Sequence, residues 1–280
     1  MITDNQTNTV YFSNLLPEEH PKEFKELSDI IDSAGHKVKL LVETYDIYCR
    51  DYMPVQVADD DYVQFVFRPK AYFKPEEYTD ITNPVLVELI NNLTQPRYSP
   101  IILDGGNVIK ATDKVIITDR VFKDNSYQFT ETEILAHLEK ELKCRVIIIP
   151  EYPDEITGHA DGLIRFIDDT TVFINETKGD PQKKWLKKFL SVLQDNNLQP
   201  VELPCPMEPD QPTAEGLYIN YLHVGNLVIV PQFNFKKEDA RALSKCKEIF
   251  GSKYAVVPCD ARWIAQGGGV LNCASWTVKT

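Results

Sequence analysis

Residues 163–175 read Leu163-Ile164-Arg165-Phe166-Ile167-Asp168-Asp169-Thr170-Thr171-Val172-Phe173-Ile174-Asn175. Two apolar runs rich in β-formers flank an Asp-Asp turn, the pattern of a β-hairpin. The same pattern recurs on either side. Val108-Ile109-Lys110 turns at Thr112-Asp113 into Val115-Ile116-Ile117-Thr118, and Tyr218-Ile219-Asn220-Tyr221 turns at Gly225-Asn226 into Val228-Ile229-Val230-Pro231. A weaker copy runs from Val55-Gln56-Val57 through Asp59-Asp60-Asp61 to Val63-Gln64-Phe65-Val66. The turns lie a little over fifty residues apart, a period that marks repeat architectures.

Each hairpin is followed by a helix and a further strand. Pro21–Ala34 carries Phe24, Leu27, Ile30 and Ile31 on one face and leads to the strand Val38–Val42. Asn83-Pro84 opens a second helix with a polar cap and a proline in its first turn. Thr130-Glu131-Thr132-Glu133 is a capping box ahead of the stripe Ile134, Leu135, Leu138 and Leu142, followed by the strand Cys144–Ile149. Asp180-Pro181 begins a fourth helix, and Glu238–Phe250 is the fifth, ahead of the strand Tyr254–Val257. Five strand–strand–helix–strand units, completed by strand residues at the two ends, fit a ring that leaves few free sheet edges. The expected fold is therefore an α/β, five-bladed pseudo-symmetric propeller of ββαβ units around a central cavity. Residues 1–280 are expected to form one domain, with Leu203–Pro209 a surface loop inside the fourth unit.

Bulk properties narrow the function. The net charge of −12 disfavours nucleic acid and is compatible with a cationic small molecule. No stretch approaches the roughly 18–20 apolar residues that span a bilayer, so no membrane partner is expected. The polar opening Met1–Gln6 lacks a secretory pattern, and a cytoplasmic location is expected. The six cysteines, at 49, 144, 205, 246, 259 and 273, form no C-x-x-C pair and point to neither a metal site nor a redox site.

Four places break the apolar pattern at similar stages of successive units. They are Tyr48-Cys49-Arg50-Asp51-Tyr52-Met53-Pro54, Leu103-Asp104-Gly105-Gly106-Asn107, Gly158-His159-Ala160-Asp161-Gly162, and Gly267-Gly268-Gly269-Val270-Leu271-Asn272-Cys273. Singly, each has a bland reading as a solvated loop, a plain turn, a structural histidine or a buried thiol. If His159 and Asp161 sit in a strand, their two-residue spacing turns them to one face. Together, a ring of repeats would bring a thiol, an imidazole and three carboxylates to one axial cavity.

These stretches, with Tyr218–Pro231, come in an order that resembles the agmatine deiminases and the bacterial peptidylarginine deiminases grouped with them. Both belong to the guanidino-group-modifying penteins, five-bladed α/β propellers. The resemblance runs from residue 46 to 273 and implies Cys273 as nucleophile and His159 as general acid and base. It implies Asp51 and Asp161 as the carboxylates gripping the guanidinium, and Asp104 as the acidic group near the histidine, usually a glutamate. Tyr48, standing where the family usually has tryptophan, and Asn107 are expected at the substrate pocket. Met53 replaces a usual glycine and Asn272 a usual histidine. The activity implied is release of ammonia from a guanidinium compound, most directly agmatine, with no cofactor and no metal. Free, methylated or peptidyl arginine as substrate, amidino transfer, and a non-catalytic guanidinium-binding protein are the alternatives. A homo-oligomer is compatible with the sequence, which does not decide it.

Overall fold

A computed structural model of the chain describes residues 1–69, 81–93, 95–153, 155, 157–178, 181–206 and 213–280. The first blade contains β1 (Thr9–Ser13) and β2 (Lys37–Leu41). The second contains β3 (Val55–Ala58), β4 (Asp61–Val66) and β5 (Arg97–Ile102), and the third β6 (Ile109–Lys110), β7 (Lys114–Thr118) and β8 (Arg145–Ile149). The fourth contains β9 (Ile164–Phe166), β10 (Thr171–Asn175) and β11 (Gln199–Leu203), and the fifth β12 (Leu222–Val224), β13 (Leu227–Gln232) and β14 (Ala255–Asp260). The last strand, β15 (Trp276–Val278), returns to complete the first blade in the order β15-β1-β2.

Every blade repeats one pairing. A hairpin pairs antiparallel, and a helical crossover then lays the third strand parallel to the middle one. In the first blade the antiparallel partner comes from the far end of the chain, with Thr9 opposite Val278 and Tyr11 opposite Trp276. The crossovers are the helices Pro21–Ser33, Pro84–Ile90, Glu131–Leu142, Lys183–Asp195 and Lys236–Phe250. The five-bladed α/β propeller is as expected from the repeat.

Local chemistry accounts for these elements. Asp168 Oδ1 accepts from the backbone N–H groups of Thr170 and Thr171, both at 2.8 Å, which folds the tight turn between β9 and β10. Gly225 turns the fifth hairpin at φ +53°, where a Cβ would also strike the His36 ring. Asn83 Oδ1 accepts from Val85 N at 3.1 Å and Leu86 N at 3.4 Å, capping the second crossover helix. The capping box of Thr130 and Glu133 is present in full.

Three expectations are corrected. Tyr218–Tyr221 is not the first strand of the fifth hairpin; the strand is Leu222–Val224. The preceding residues are drawn into a turn because the Tyr218 hydroxyl donates to Asp239 Oδ1 at 2.6 Å and the Asn220 side chain is engaged at the site. His159 and Asp161 do not lie in a strand but at a 3₁₀ turn, Ala160–Gly162. The fourth crossover helix starts at Lys183, while Asp180 lies outside the described residues, as do residues 207–212 of the loop expected after Leu203. Among the described residues no helix is long and apolar enough to cross a membrane.

The blades are joined by aromatic packing. Phe173 of β10 is fully buried, with ring centroids 6.2 Å from Tyr221 and 5.9 Å from Phe250 of the next blade. Phe173→Ala should therefore cost about 3–5 kcal/mol of stability, read as a lowered urea midpoint with an unchanged slope. A loss below about 1 kcal/mol would show that the fourth and fifth blades do not depend on this contact.

Candidate active site

Each blade delivers its residues to the site by a short turn ahead of a strand. Asp51 sits in the helical turn Cys49–Tyr52, Asp104 immediately precedes the 3₁₀ turn Gly105–Asn107, and His159 and Asp161 flank Ala160. Cys273 lies in the turn before β15. It is locked beside the Asp51 turn because Arg50 N–H donates to the Cys273 carbonyl at 3.0 Å, while Arg50 Nε donates to the Asn272 carbonyl at 3.0 Å.

These side chains converge. His159 Nε2 is 3.1 Å from Asp104 Oδ2, and His159 Nδ1 is 3.6 Å from Asp51 Oδ1. The Cys273 thiol donates to Asp161 Oδ2 at 3.4 Å. Gly106 supplies the wall between them. Its N–H donates to Asp51 Oδ1 at 3.0 Å, and a Cβ there would stand 2.5 Å from Asp51 Oδ1, 2.8 Å from His159 Nδ1 and 3.4 Å from Asp161 Oδ2. One point within 3.4 Å of all three groups leaves no room for a side chain. Asp51, His159 and Asp161 are buried, and Cys273 is partly buried. The thiol, the imidazole and the three acids expected from sequence thus lie together.

Tyr48 and Asn107, expected at the substrate pocket, make structural contacts around the site. The Tyr48 hydroxyl donates to the Ile264 carbonyl at 2.9 Å and accepts from Gly269 N–H at 3.1 Å. Its ring lies against Gly267 and Gly269, where added side chains would collide with it, so it pins the glycine loop that leads to Cys273. Asn107 Oδ1 accepts from Thr118 N at 2.9 Å and Ala160 N at 3.2 Å, a clasp between the third blade and the His159 turn.

Asn220 was not singled out by the sequence reading. It is fully buried, donates through Nδ2 to Cys273 Sγ at 3.2 Å and accepts through Oδ1 from the N–H groups of Asn272 and Cys273 at 3.1 and 3.2 Å. Its one signal was a carboxamide inside the otherwise apolar run of residues 217–222. Asn272 Nδ2 donates to Asp161 Oδ2 at 2.7 Å.

Electrostatics follow from the crowding. Burial opposes a charged imidazole, but the negative charges of Asp51, Asp104 and Asp161 outweigh it and hold His159 protonated well above the usual histidine range. Burial, together with the charges of Asp104 and Asp161, pushes the Asp51 carboxyl up to about 8 against the pull of His159. Burial raises the Cys273 thiol well above the usual value, and Asp161 and Asp51 raise it further. Asp104 Oδ1 is buried and accepts no hydrogen bond among the described residues. No group of three or more His, Cys, Asp or Glu side chains disposed to hold a metal occurs among them.

The repeated blades match solved penteins, and the fold is of that class. An agmatine deiminase from C. jejuni superposes with a TM-score of 0.80 at 19% identity, covering 100% of this chain and 95% of its own. A putative arginine deiminase from Porphyromonas gingivalis gives 0.78 at 18%, covering 99% of this chain and 97% of its own, and a DDAH from Pseudomonas aeruginosa 0.59 at 11%, covering 97% and 99%. The profile of the Porphyromonas-type peptidyl-arginine deiminase family matches residues 2–278, and the chain belongs to that family. The comparison with curated proteins finds no match.

The raised His159 value has a direct test. Its contribution to folding stability is fully present below about pH 6.5, the unfolded value, and is lost as pH rises through the higher folded value. NMR titration of the imidazole should show it still protonated at neutral pH, and Asp104→Asn should shift its titration downward. An imidazole already neutral at pH 7 in the unaltered protein would contradict the electrostatic account.

Proposed function

We propose that this protein is a cysteine-dependent deiminase that hydrolyses a guanidinium group to a ureido group and ammonia. The observation that carries the reading is the grouping beside the sulfur: Cys273 meets Asp161, and the imidazole of His159 lies between Asp51 and Asp104. Such a hollow favours a cation, and the flat N–H fork of a guanidinium suits two carboxylates at once.

On this reading Asp51 and Asp161 hold the guanidinium, whose positive charge replaces what the free site lacks. The thiol stays neutral until the cation enters, and its proton is then released to bulk water. The Cys273 thiolate, steadied by the Asn220 N–H, attacks the central carbon. His159 gives its proton to the departing nitrogen, so ammonia leaves in place of an amide anion, and an S-alkylthiouronium remains. Water then attacks with His159 taking one of its protons, and the C–S bond breaks as the remaining hydroxyl proton passes to sulfur, which restores the neutral thiol and the protonated imidazole. Asp104 orients the imidazole through Nε2, with its second oxygen free to hold substrate or the attacking water. Tyr48 and Asn107 support the site from behind, through the glycine loop and the His159 turn. Residues 1–280 act as one catalytic domain, since both ends of the chain build the first blade.

Agmatine is the substrate we propose. The C. jejuni protein of the same fold is an agmatine deiminase, and the acidic character of the site suits a small cation. The family's name keeps arginine in a peptide as the second reading. A cytoplasmic location is the expected setting for six free cysteines.

Ammonia release from agmatine, arginine, methylarginines and arginyl peptides should single out one substrate, agmatine first. Cys273→Ala should abolish turnover, and His159→Ala should lower it by about 10²–10⁴-fold. Asp51→Asn should raise KM and lower kcat with little change in Tm. Normal ammonia release by Cys273→Ala would sink the mechanism.

The neutral resting thiol makes a separate prediction. At neutral pH a cationic haloacetamidine should alkylate Cys273 at least about tenfold faster than neutral iodoacetamide, because only the former brings the charge that favours thiolate. Equal rates would mean that the thiol is already ionised without a cation.

A further inference from the structure

Beside the acidic hollow, one residue away along the chain, the fold gathers cations. Arg50 precedes Asp51, and with Lys110 and Arg165 it forms a group in which each charge acts on the others. Among the described residues Asp4 is the one carboxylate in ion-pair range of this group. Arg165 Nη2 donates to Asp4 Oδ2 at 2.7 Å, and Lys110 Nζ stands 3.9 Å from Asp4 Oδ1. His223 adds no negative charge; burial holds it neutral, down to about 4. Three buried or partly buried cations therefore face one anion.

Lys110 is the least satisfied of the three cations. Its side chain is only 7% accessible, it carries three N–H donors, and among the described residues its ammonium makes no hydrogen bond. It borders a cavity of roughly 20 Å³ whose wall includes Arg50, Gly105, Trp276 and Thr277. Arg50 Nη2 donates to Thr277 Oγ1 at 3.5 Å, so the Thr277 hydroxyl keeps its own proton for another acceptor.

We infer that this cavity is a site for a halide-sized anion, held by Lys110 and Arg50 with the Thr277 hydroxyl as a third donor. About 10–15 Å³ suffices for one water-sized particle, so the space admits a single small ion. A water accepts a hydrogen bond from Lys110 but leaves the excess positive charge uncompensated in a poorly solvated place; a chloride satisfies both. The ammonium itself reports the strain. Burial pushes Lys110 down to about 8 against the pull of Asp4, with Arg50 and Arg165 pushing the same way as burial, and a bound anion reverses that shift. The site does not depend on the deiminase reading, because its ligands lie outside the acidic hollow.

The test compares the purified full chain at pH 7 in sodium chloride, sodium bromide and sodium gluconate at equal ionic strength. At about 0.2 M salt the halides should raise Tm by about 2–4 °C over gluconate, and Lys110→Met should remove the difference. Crystals grown in bromide should show an anomalous peak between Lys110 and Arg50. If Lys110→Met fails to fold, the bromide peak in the unaltered protein, together with Thr277→Val, decides. A Tm indifferent to the anion, or a cavity filled by an ordered water only with no bromide peak, overturns the proposal.

Discussion

Crowding of negative charge around one imidazole is the constraint on which the rest of the site depends. Asp51, Asp104 and Asp161 would repel one another in a buried hollow, and nearly every polar contact nearby answers that repulsion. The Gly106 N–H, the Asn272 carboxamide, the Cys273 thiol and the His159 ring all point donors at carboxylate oxygens. Removing a donor from such a set is more damaging than its single bond suggests, because the remaining acceptors lose a shared compensation. The free site is therefore held together by hydrogen bonds while it remains short of positive charge.

The repeat was legible because its signals are local. Asp168 makes its turn with its own neighbours, and Asn83 and Thr130 cap their own helices. Reading five units from these signals gave the ring, and the ring gave the meeting of distant residues. The 3₁₀ turn at Ala160 was less legible: a His-x-Asp spacing suits a strand face, and nothing within the pentapeptide reveals that Asn107 of another blade bonds its backbone. Asn220 was hidden for a related reason. Its side chain is tied to residues fifty positions away, and no local pattern distinguishes a buried carboxamide with partners from one at a strand edge. Tyr48 illustrates another difficulty, since an aromatic beside the reactive residues reads as a pocket wall and nothing local reveals that its ring and hydroxyl meet a distant glycine loop.

Arg50 links the acidic and the cationic halves of the interior. Its backbone N–H and its Nε hold the Cys273 and Asn272 carbonyls, while its terminal nitrogen reaches Thr277. A neutral residue of similar length could keep the backbone bond and lose the other two, so the position of the sulfur depends on a guanidinium as well as on main-chain geometry. The protein thus uses within its own structure the kind of group that we propose it acts on.

The pairing of β1 with β15 has a kinetic corollary. Tyr11 and Trp276 are among the most widely separated partners in the sequence, and contacts of this kind form late because the loop they close is long. A folding intermediate with its internal blades formed but that seam open would already display the imidazole and its acids, with no sulfur fixed opposite them. Recovery of the thiol's native environment during refolding would therefore time the closing of the seam, where a signal from any one hairpin would not.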